Sequence, residues 1–291
     1  MTQRRIIDAH THIWDLDRAE YSWLTPDLSP IYRTFHLDEV APDLEACGID
    51  SVVLVQASDT DADTNHMLNV AERNPMVTGV VAWLPLDDAD ALADRIEVLL
   101  ATGCVVGIRT LIQDMADDEW ILRPAVQPGL DTIAEAGLSF DYVTANPTAL
   151  RHVPALATLH PNLRIVIDHL GKPPVGDDAD AMGRWRGLLD EAAAAPNVAA
   201  KISGLTASVG PPDNWTVDSF RPVVETAVAA FGAERLMYGG DWPVVNLAGG
   251  YARWFEGISQ ILEELSADEL DSIYSETATA WYGLDKRKGT V

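Results

Sequence analysis

Short β-rich runs recur along the chain with helical segments between them, and this alternation limits the possible folds more than any other feature. Eight runs are read as strands: Arg5–His12, Ser51–Ser58, Val77–Leu86, Val105–Ile112, Leu138–Thr144, Arg164–Leu170, Val198–Leu205 and Arg235–Trp242. They are rich in Val and Ile and often continuously apolar, as parallel strands covered on both faces should be. The intervening helices end on stop signals. Gly48, Gly103, Gly137 and Gly232 suit the left-handed position after a helix, and Pro161 and Pro196 cannot continue one. Ser266-Ala267-Asp268-Glu269 has the capping-box pattern of a helix start. Repeated alternation of this kind predicts a parallel α/β architecture. No Gly-x-Gly-x-x-Gly turn follows the first run, so a closed (β/α)8 TIM barrel fits better than an open dinucleotide-binding sheet. With no internal repeat, linker or low-complexity tract, residues 1–291 are read as one domain.

Charge and composition exclude several classes of partner. The net charge is −25, and the only lysines are Lys172, Lys201, Lys286 and Lys288. So acidic a surface argues against nucleic acid or an anionic membrane as partner; it favours solubility and is compatible with adaptation to high salt. No apolar run approaches the ~20 residues needed to cross a bilayer. The N-terminus enters a strand at once, without a signal peptide's apolar stretch, so a cytoplasmic location is expected. Cys47 and Cys104 form neither a disulfide framework nor a zinc-ligand spacing, and are expected to be small buried side chains. The oligomeric state is left open, a homo-oligomer included.

Chemistry concentrates at the C-terminal ends of the strands, where barrel active sites are built. In the first run Asp8, His10 and His12 alternate with Ile7, Ala9, Thr11 and Ile13, so a period of two puts all three polar side chains on one face. If helices pack the other face, this one looks into the barrel, where two imidazoles and a carboxylate need partners or a metal. His169 ends the sixth run. Asp241 ends the eighth, which lies beside the first in a closed barrel, and can take a proton from water. Three imidazoles and one carboxylate offer a site for a single Zn²⁺ or similar ion. Arg109 could grip a carboxylate or a polarised carbonyl, and with Lys172, Lys201 and Trp242 it makes up the candidate substrate contacts. For Arg109 and Lys201 the alternative is an ion pair with Asp8, Asp141 or Asp168. His152 and His160 are assigned to a helix and its exit, facing solvent, while His36 and His66 could border the mouth. The long connection from Ile13 to Phe35, with Trp14, Tyr21, Trp23 and Tyr32, is expected to be a stiff wall or lid. Trp14, Trp23, Asn214, Trp215 and Tyr251 are the loop positions expected to set substrate choice.

At these residues the chain resembles the amidohydrolase superfamily, in its amidohydrolase-related branch of barrel hydrolases. The likeness rests on Asp8-Ala9-His10-Thr11-His12, Asp168-His169-Leu170-Gly171-Lys172-Pro173, Gly240-Asp241-Trp242-Pro243 and Lys201-Ile202-Ser203-Gly204-Leu205. Gly107-Ile108-Arg109-Thr110-Leu111-Ile112-Gln113-Asp114 looks like the branch's sugar-lactonase group. The resemblance runs from about Ile6 to Leu284. It implies hydrolysis of an aldonic acid lactone, such as L-rhamnono- or L-fuconolactone; related enzymes open 2-pyrone-4,6-dicarboxylate. By the same likeness His10, His12 and His169 are metal ligands or carbonyl-polarising groups, Asp241 is the proton shuttle and Arg109 a substrate contact. Arg109 stands where a bridging lysine or glutamate would be expected, and Asp141 replaces a histidine. The resemblance therefore implies at most one divalent ion, zinc, in a branch where some members use none. Two alternatives accompany this reading: a metal-dependent decarboxylase of an unsaturated or aromatic acid, and a non-catalytic sugar-acid binding protein.

Overall fold

The computed structural model describes residues 4–144, 146–176, 179–209 and 214–287. Eight parallel strands lie side by side in sequence order: β1 (Ile7–Thr11), β2 (Ser51–Val55), β3 (Val77–Ala82), β4 (Val105–Arg109), β5 (Ser139–Tyr142), β6 (Arg164–Ile167), β7 (Val198–Ile202) and β8 (Leu236–Tyr238). A helix follows each: α1 (Ala41–Ala46), α2 (Asp61–Arg73), α3 (Ala89–Ala101), α4 (Gln127–Glu135), α5 (Val153–Leu159), α6 (Ala179–Ala193), α7 (Val217–Phe231) and α8 (Tyr251–Leu262). Helices α9 (Ala267–Asp271) and α10 (Thr277–Tyr282) complete the order. The ring closes just beyond β8, where the Asp241 amide donates to the His10 carbonyl and the His12 amide to the Trp242 carbonyl, both at 2.7 Å. This is the (β/α)8 barrel expected from the alternation. All eight strands lie within the expected runs but stop short of their C-terminal limits, because the chain there leaves the ladder to build the mouth.

Two apolar layers sandwich the strands. Ile7, Ala9, Val53, Val55, Val166, Ala199 and Met237 fill the barrel interior together with Ala278, Tyr282 and Leu284. Val52, Leu54, Ile108, Phe140, Ile165, Ile167 and Leu236 face the helices in a second layer. Burial of each such large aliphatic or aromatic side chain contributes roughly 1.5–3 kcal/mol. Residues of and after α10 thus plug the end where the strands begin, and the opposite end is left for chemistry.

One expectation about β1 fails. Its pairing with β2 steps from Asp8↔Val52 to Thr11↔Leu54, three residues against two, which is a β-bulge. Ile7 and Ala9 pack in the interior, and His10 turns inward as well. Asp8 points outward instead. Its carboxylate accepts from the Tyr251 hydroxyl of α8 (2.9 Å), the Thr11 hydroxyl (2.8 Å) and the amides of His10 and Gly240 (both 2.9 Å). The strict period of two therefore does not hold through the bulge, and Asp8 does not share a face with His10 and His12.

Several local expectations can be settled. Gly48, Gly103, Gly137 and Gly232 all have positive φ, and Ser266 and Glu269 form a reciprocal capping box. The 13–35 connection is an ordered wall: Trp14 and Phe35 pair at its base, the Trp23 indole donates to the Ala57 carbonyl at 2.7 Å, and the Tyr21 hydroxyl donates to Asp63 at 2.8 Å. His152 and His160 are buried rather than solvent-facing, because Tyr142 and Glu119 engage the first and Asp131 and Gln127 the second. Cys47 and Cys104 are half-buried rather than buried. Among the described residues, no helix is long and apolar enough to cross a membrane.

Candidate active site

His10, His12, His169 and Asp241 converge at the mouth. The inward turn of β1 brings the His10 and His12 Nε2 atoms to 3.1 Å, with ring planes nearly perpendicular. His12 Nδ1 lies 2.7 Å from the Val55 carbonyl; since a carbonyl only accepts, Nδ1 carries the proton and Nε2 turns a lone pair toward the centre. Asp241 Oδ1 stands 3.5 Å from His12 Nε2 and 3.8 Å from His10 Nε2. His169 packs edge-on against His10, with ring centroids 4.5 Å apart.

The backbone that presents these groups is unusual. His169, Leu170, Gly171 and Lys172 have φ of 56°, 51°, 70° and 54°, a continuous left-handed turn, and Asp241 has φ of 53°. Each non-glycine residue there costs about 1–2 kcal/mol, and such strain persists where surroundings hold it. Holding contacts are present: the Trp185 indole donates to the Leu170 carbonyl at 2.9 Å, and Ser203 Oγ lies 2.9 Å from His169 Nδ1. A Cβ on Gly204 would collide with the His169 ring, so only glycine lets that ring settle. The turn projects both His169 and Lys172 into one cavity.

Beneath the histidines lies a buried ionic stack. Asp168 meets Arg109 Nη1 at 2.9 Å, Lys201 Nζ at 3.0 Å and His10 Nδ1 at 3.2 Å. Lys201 Nζ also contacts Asp141 at 2.5 Å and His10 Nδ1 at 3.1 Å. The Tyr282 hydroxyl lies 2.9 Å from each Asp141 oxygen. Burial opposes ionisation of Asp168, yet Lys201 first, then His10 and Arg109, hold its carboxyl well below the usual range. Burial pushes Asp141 up to about 6 against the pull of Lys201. Burial also lowers His169 to about 4 and His10 well below its ordinary value, so both rings are neutral near pH 7.

The cavity above this stack measures about 140 Å³. His12, His169, Asp241, Arg109, Lys172 and Gln113 form its polar side; Trp23, Ala57, Leu111, Val143, Ala207 and Val244 form an apolar wall. Lys201 is fully buried below it and reaches only protein groups, so the ion-pair alternative describes its position. Trp242 packs edge-on against Phe35 and does not line the cavity. Arg109 lines it, but its guanidinium is engaged by Asp168 and the Gln56 carbonyl. Lys172 lines it and donates to Gln113 Oε1 at 3.2 Å. Of the expected specificity positions only Trp23 borders the cavity; Trp14, Trp215 and Tyr251 are packed into the body, and His36 and His66 border a separate groove.

Sequence reasoning missed Ser203, which steadies His169, and Gln113, which holds Lys172. Counting by two along β7 from the inward Lys201 would have placed Ser203 inward as well.

His10, His12 and Asp241 each offer a ligand atom, all lying within 4.8 Å of one another. Such spacing suits a shell with bonds of roughly 2.0–2.2 Å, the range for zinc with nitrogen and oxygen ligands. A second set, His10, Asp168 and His169, also satisfies the spacing. There Lys201 Nζ already stands against Asp168 and His10, supplying the positive charge that an ion would bring.

Comparison with known proteins agrees with this fold. The amidohydrolase family pattern matches residues 7–284. An L-fucono-1,5-lactonase of Burkholderia ambifaria is 38% identical over 294 residues, covering 97% of each chain. An L-fucono-1,5-lactonase of Burkholderia multivorans is 30% identical, covering 96% of each. The crystal structure of an amidohydrolase from Burkholderia multivorans with bound zinc superposes with a TM-score of 0.89 at 28% identity, over 96% of this chain and 99% of that one.

Proposed function

This chain belongs to the amidohydrolase family, and from that membership we propose that it opens a neutral sugar lactone of the L-fucono-1,5-lactone kind to the free acid. It is a hydrolase of lactone ester bonds. The observation that carries the mechanism is the position of Asp241, beside two imidazole Nε2 atoms on the polar side of a cavity whose other wall is apolar.

Asp241 takes a proton from a water placed between it and the lactone carbonyl. Oxygen of that water bonds to the carbonyl carbon, the ring C–O bond breaks, and Asp241 returns the proton to the departing ring oxygen. One water is consumed, and the acid formed ionises. His169 acts neutral: with the Ser203 hydroxyl donating to Nδ1, its Nε2–H donates to the oxygen on which negative charge develops. Lys172 adds a cation to the same side of the cavity. His10, His12 and Asp241 would hold one zinc ion, which when bound supplies Lewis acidity and lowers the pKa of water.

Neutral substrates are favoured over carboxylates by the state of Arg109. Its Nη1 and Nη2 are held by Asp168 and the Gln56 carbonyl, and its Nε, unpartnered among the described residues, is buried, which leaves Lys172 as the cation with capacity to spare among the lining residues. A pyrone dicarboxylate or the carboxylate of a decarboxylase substrate would face Asp241 with one partner. Proton release from a panel of sugar lactones, read above the spontaneous rate with CO2 trapped in parallel, tests the proposal. Acid without CO2 supports it; CO2 release, or binding without turnover in zinc-loaded protein, sinks it.

A further inference from the structure

A second cavity, of about 210 Å³, adjoins the catalytic one, and the two share Gln113 and Val143 as walls. It lies between the loop after β4 and the loop after β5, at the same end of the barrel. We propose that this chamber is a second subsite, which receives a glycosyl residue carried on the lactone ring. The proposal rests on the lactonase reading and extends it to lactones of oxidised disaccharides.

The chemistry of the lining selects a neutral polyhydroxylated group. Gln113 Oε1 is taken by Lys172 and Asn146 Oδ1 by the Thr148 amide at 3.0 Å, so each amide leaves its NH2 group open among the described residues. Asp118, also in the lining, has an exposed carboxylate with no partner among the described residues. Open donors beside an open acceptor suit sugar hydroxyls, which both give and receive hydrogen bonds. Ile112 and Met115 supply an apolar surface for a pyranose C–H face. Positive charge is absent as a lure: Arg151 is paired with Glu119 at 2.6 Å. An anion would meet Asp118, and a cation would meet the two amide NH2 groups. The catalytic cavity has room for one small ring, so a second ring must go elsewhere, and the shared wall puts this chamber next to it.

The test compares kcat/KM for a monosaccharide 1,5-lactone with that for aldobionolactones linked through O3 or O4. Both are measured on the wild type and on Thr148→Trp, which fills the chamber from an exposed position while keeping the backbone amide that holds Asn146. We expect the wild type to hydrolyse at least one aldobionolactone, and Thr148→Trp to lower the long-to-short ratio at least about tenfold, the loss of a few hydrogen bonds. Ala149→Phe serves as a second filling variant if the first is poorly folded. Turnover of the short lactone with none of the long ones, or a ratio that neither variant moves, overturns the subsite alone. Turnover of neither lactone by the wild type removes the lactonase reading and the subsite together.

Discussion

Asp8 and His10 stand two positions apart on β1 and face opposite sides of the barrel wall. Asp8 accepts hydrogen bonds from the Tyr251 hydroxyl and the Gly240 amide on the helix side, while His10 meets Asp168 and Lys201 inside. Asp8 is therefore a fastener between β1, the end of β8 and α8. Asp8→Asn keeps one acceptor and replaces the other with a donor facing the Tyr251 and Thr11 hydroxyls. We expect a loss of about 2–4 kcal/mol in stability. Urea unfolding measures it; an unchanged midpoint would refute the fastening role.

Asp241→Asn should keep the shape of the mouth and remove the base. At least ~100-fold loss in kcat is expected, the usual scale for general acid–base assistance. Melting temperature serves as the control, since near-normal turnover in a well-folded variant contradicts the assignment.

Removing the ion should silence the enzyme reversibly. Treatment with a chelator is expected to lower kcat at least ~100-fold, and zinc should restore activity at one equivalent per chain. Zinc should also raise the melting temperature of the stripped protein, because the ion binds only the folded form. Full activity at a metal content near zero would show that the histidines work alone.

Lys201→Met removes the cation between Asp141 and Asp168 while keeping most of the volume. Two buried carboxylates would then face each other, at a cost of about 3–5 kcal/mol. Adding Asp141→Asn to the same chain should recover part of that loss. If the double variant is no more stable than the single one, the stack is not held together by this pairing.

The acid limb of stability follows in part from His169, alongside His10, which burial also lowers. The folded pKa of His169 is about 4, depressed by burial from the ordinary 6.5. Between those values the unfolded chain binds a proton that the folded chain does not. The stabilisation is thus complete above about 6.5 and is lost as pH falls through about 4, amounting to roughly 3 kcal/mol. Urea midpoints of chelated protein at pH 7.5 and 4.5 should show this drop, and His169→Asn should reduce it. Equal slopes in the two proteins would mean that another group carries the acid limb.

The barrel could be read from the sequence because its causes are local: Val- and Ile-rich runs, helix-stopping glycines and a capping serine each act within a few residues. The convergence of His10, His12, His169 and Asp241 could also be read, since strand ends in a closed ring share one rim. What escaped depended on contacts remote in sequence. The bulge that separates Asp8 from His10 arises from pairing with β2, and the commitment of Arg109 to Gln56 and Asp168 needs three strands in place. His152 and His160 looked like surface residues because Glu119, Asp131 and Gln127 come from an earlier stretch of chain.

The ring is closed by bonds between the strand made first and the segment following the strand made last, Asp241 to His10 and Trp242 to His12. On a ribosome, His10 and His12 emerge long before their carboxylate partner exists. Contacts so distant along the polypeptide carry a heavy loop-closure penalty and form late. The nascent chain therefore lacks its base until the segment after the last strand has been made, and the mouth is complete only when the barrel closes.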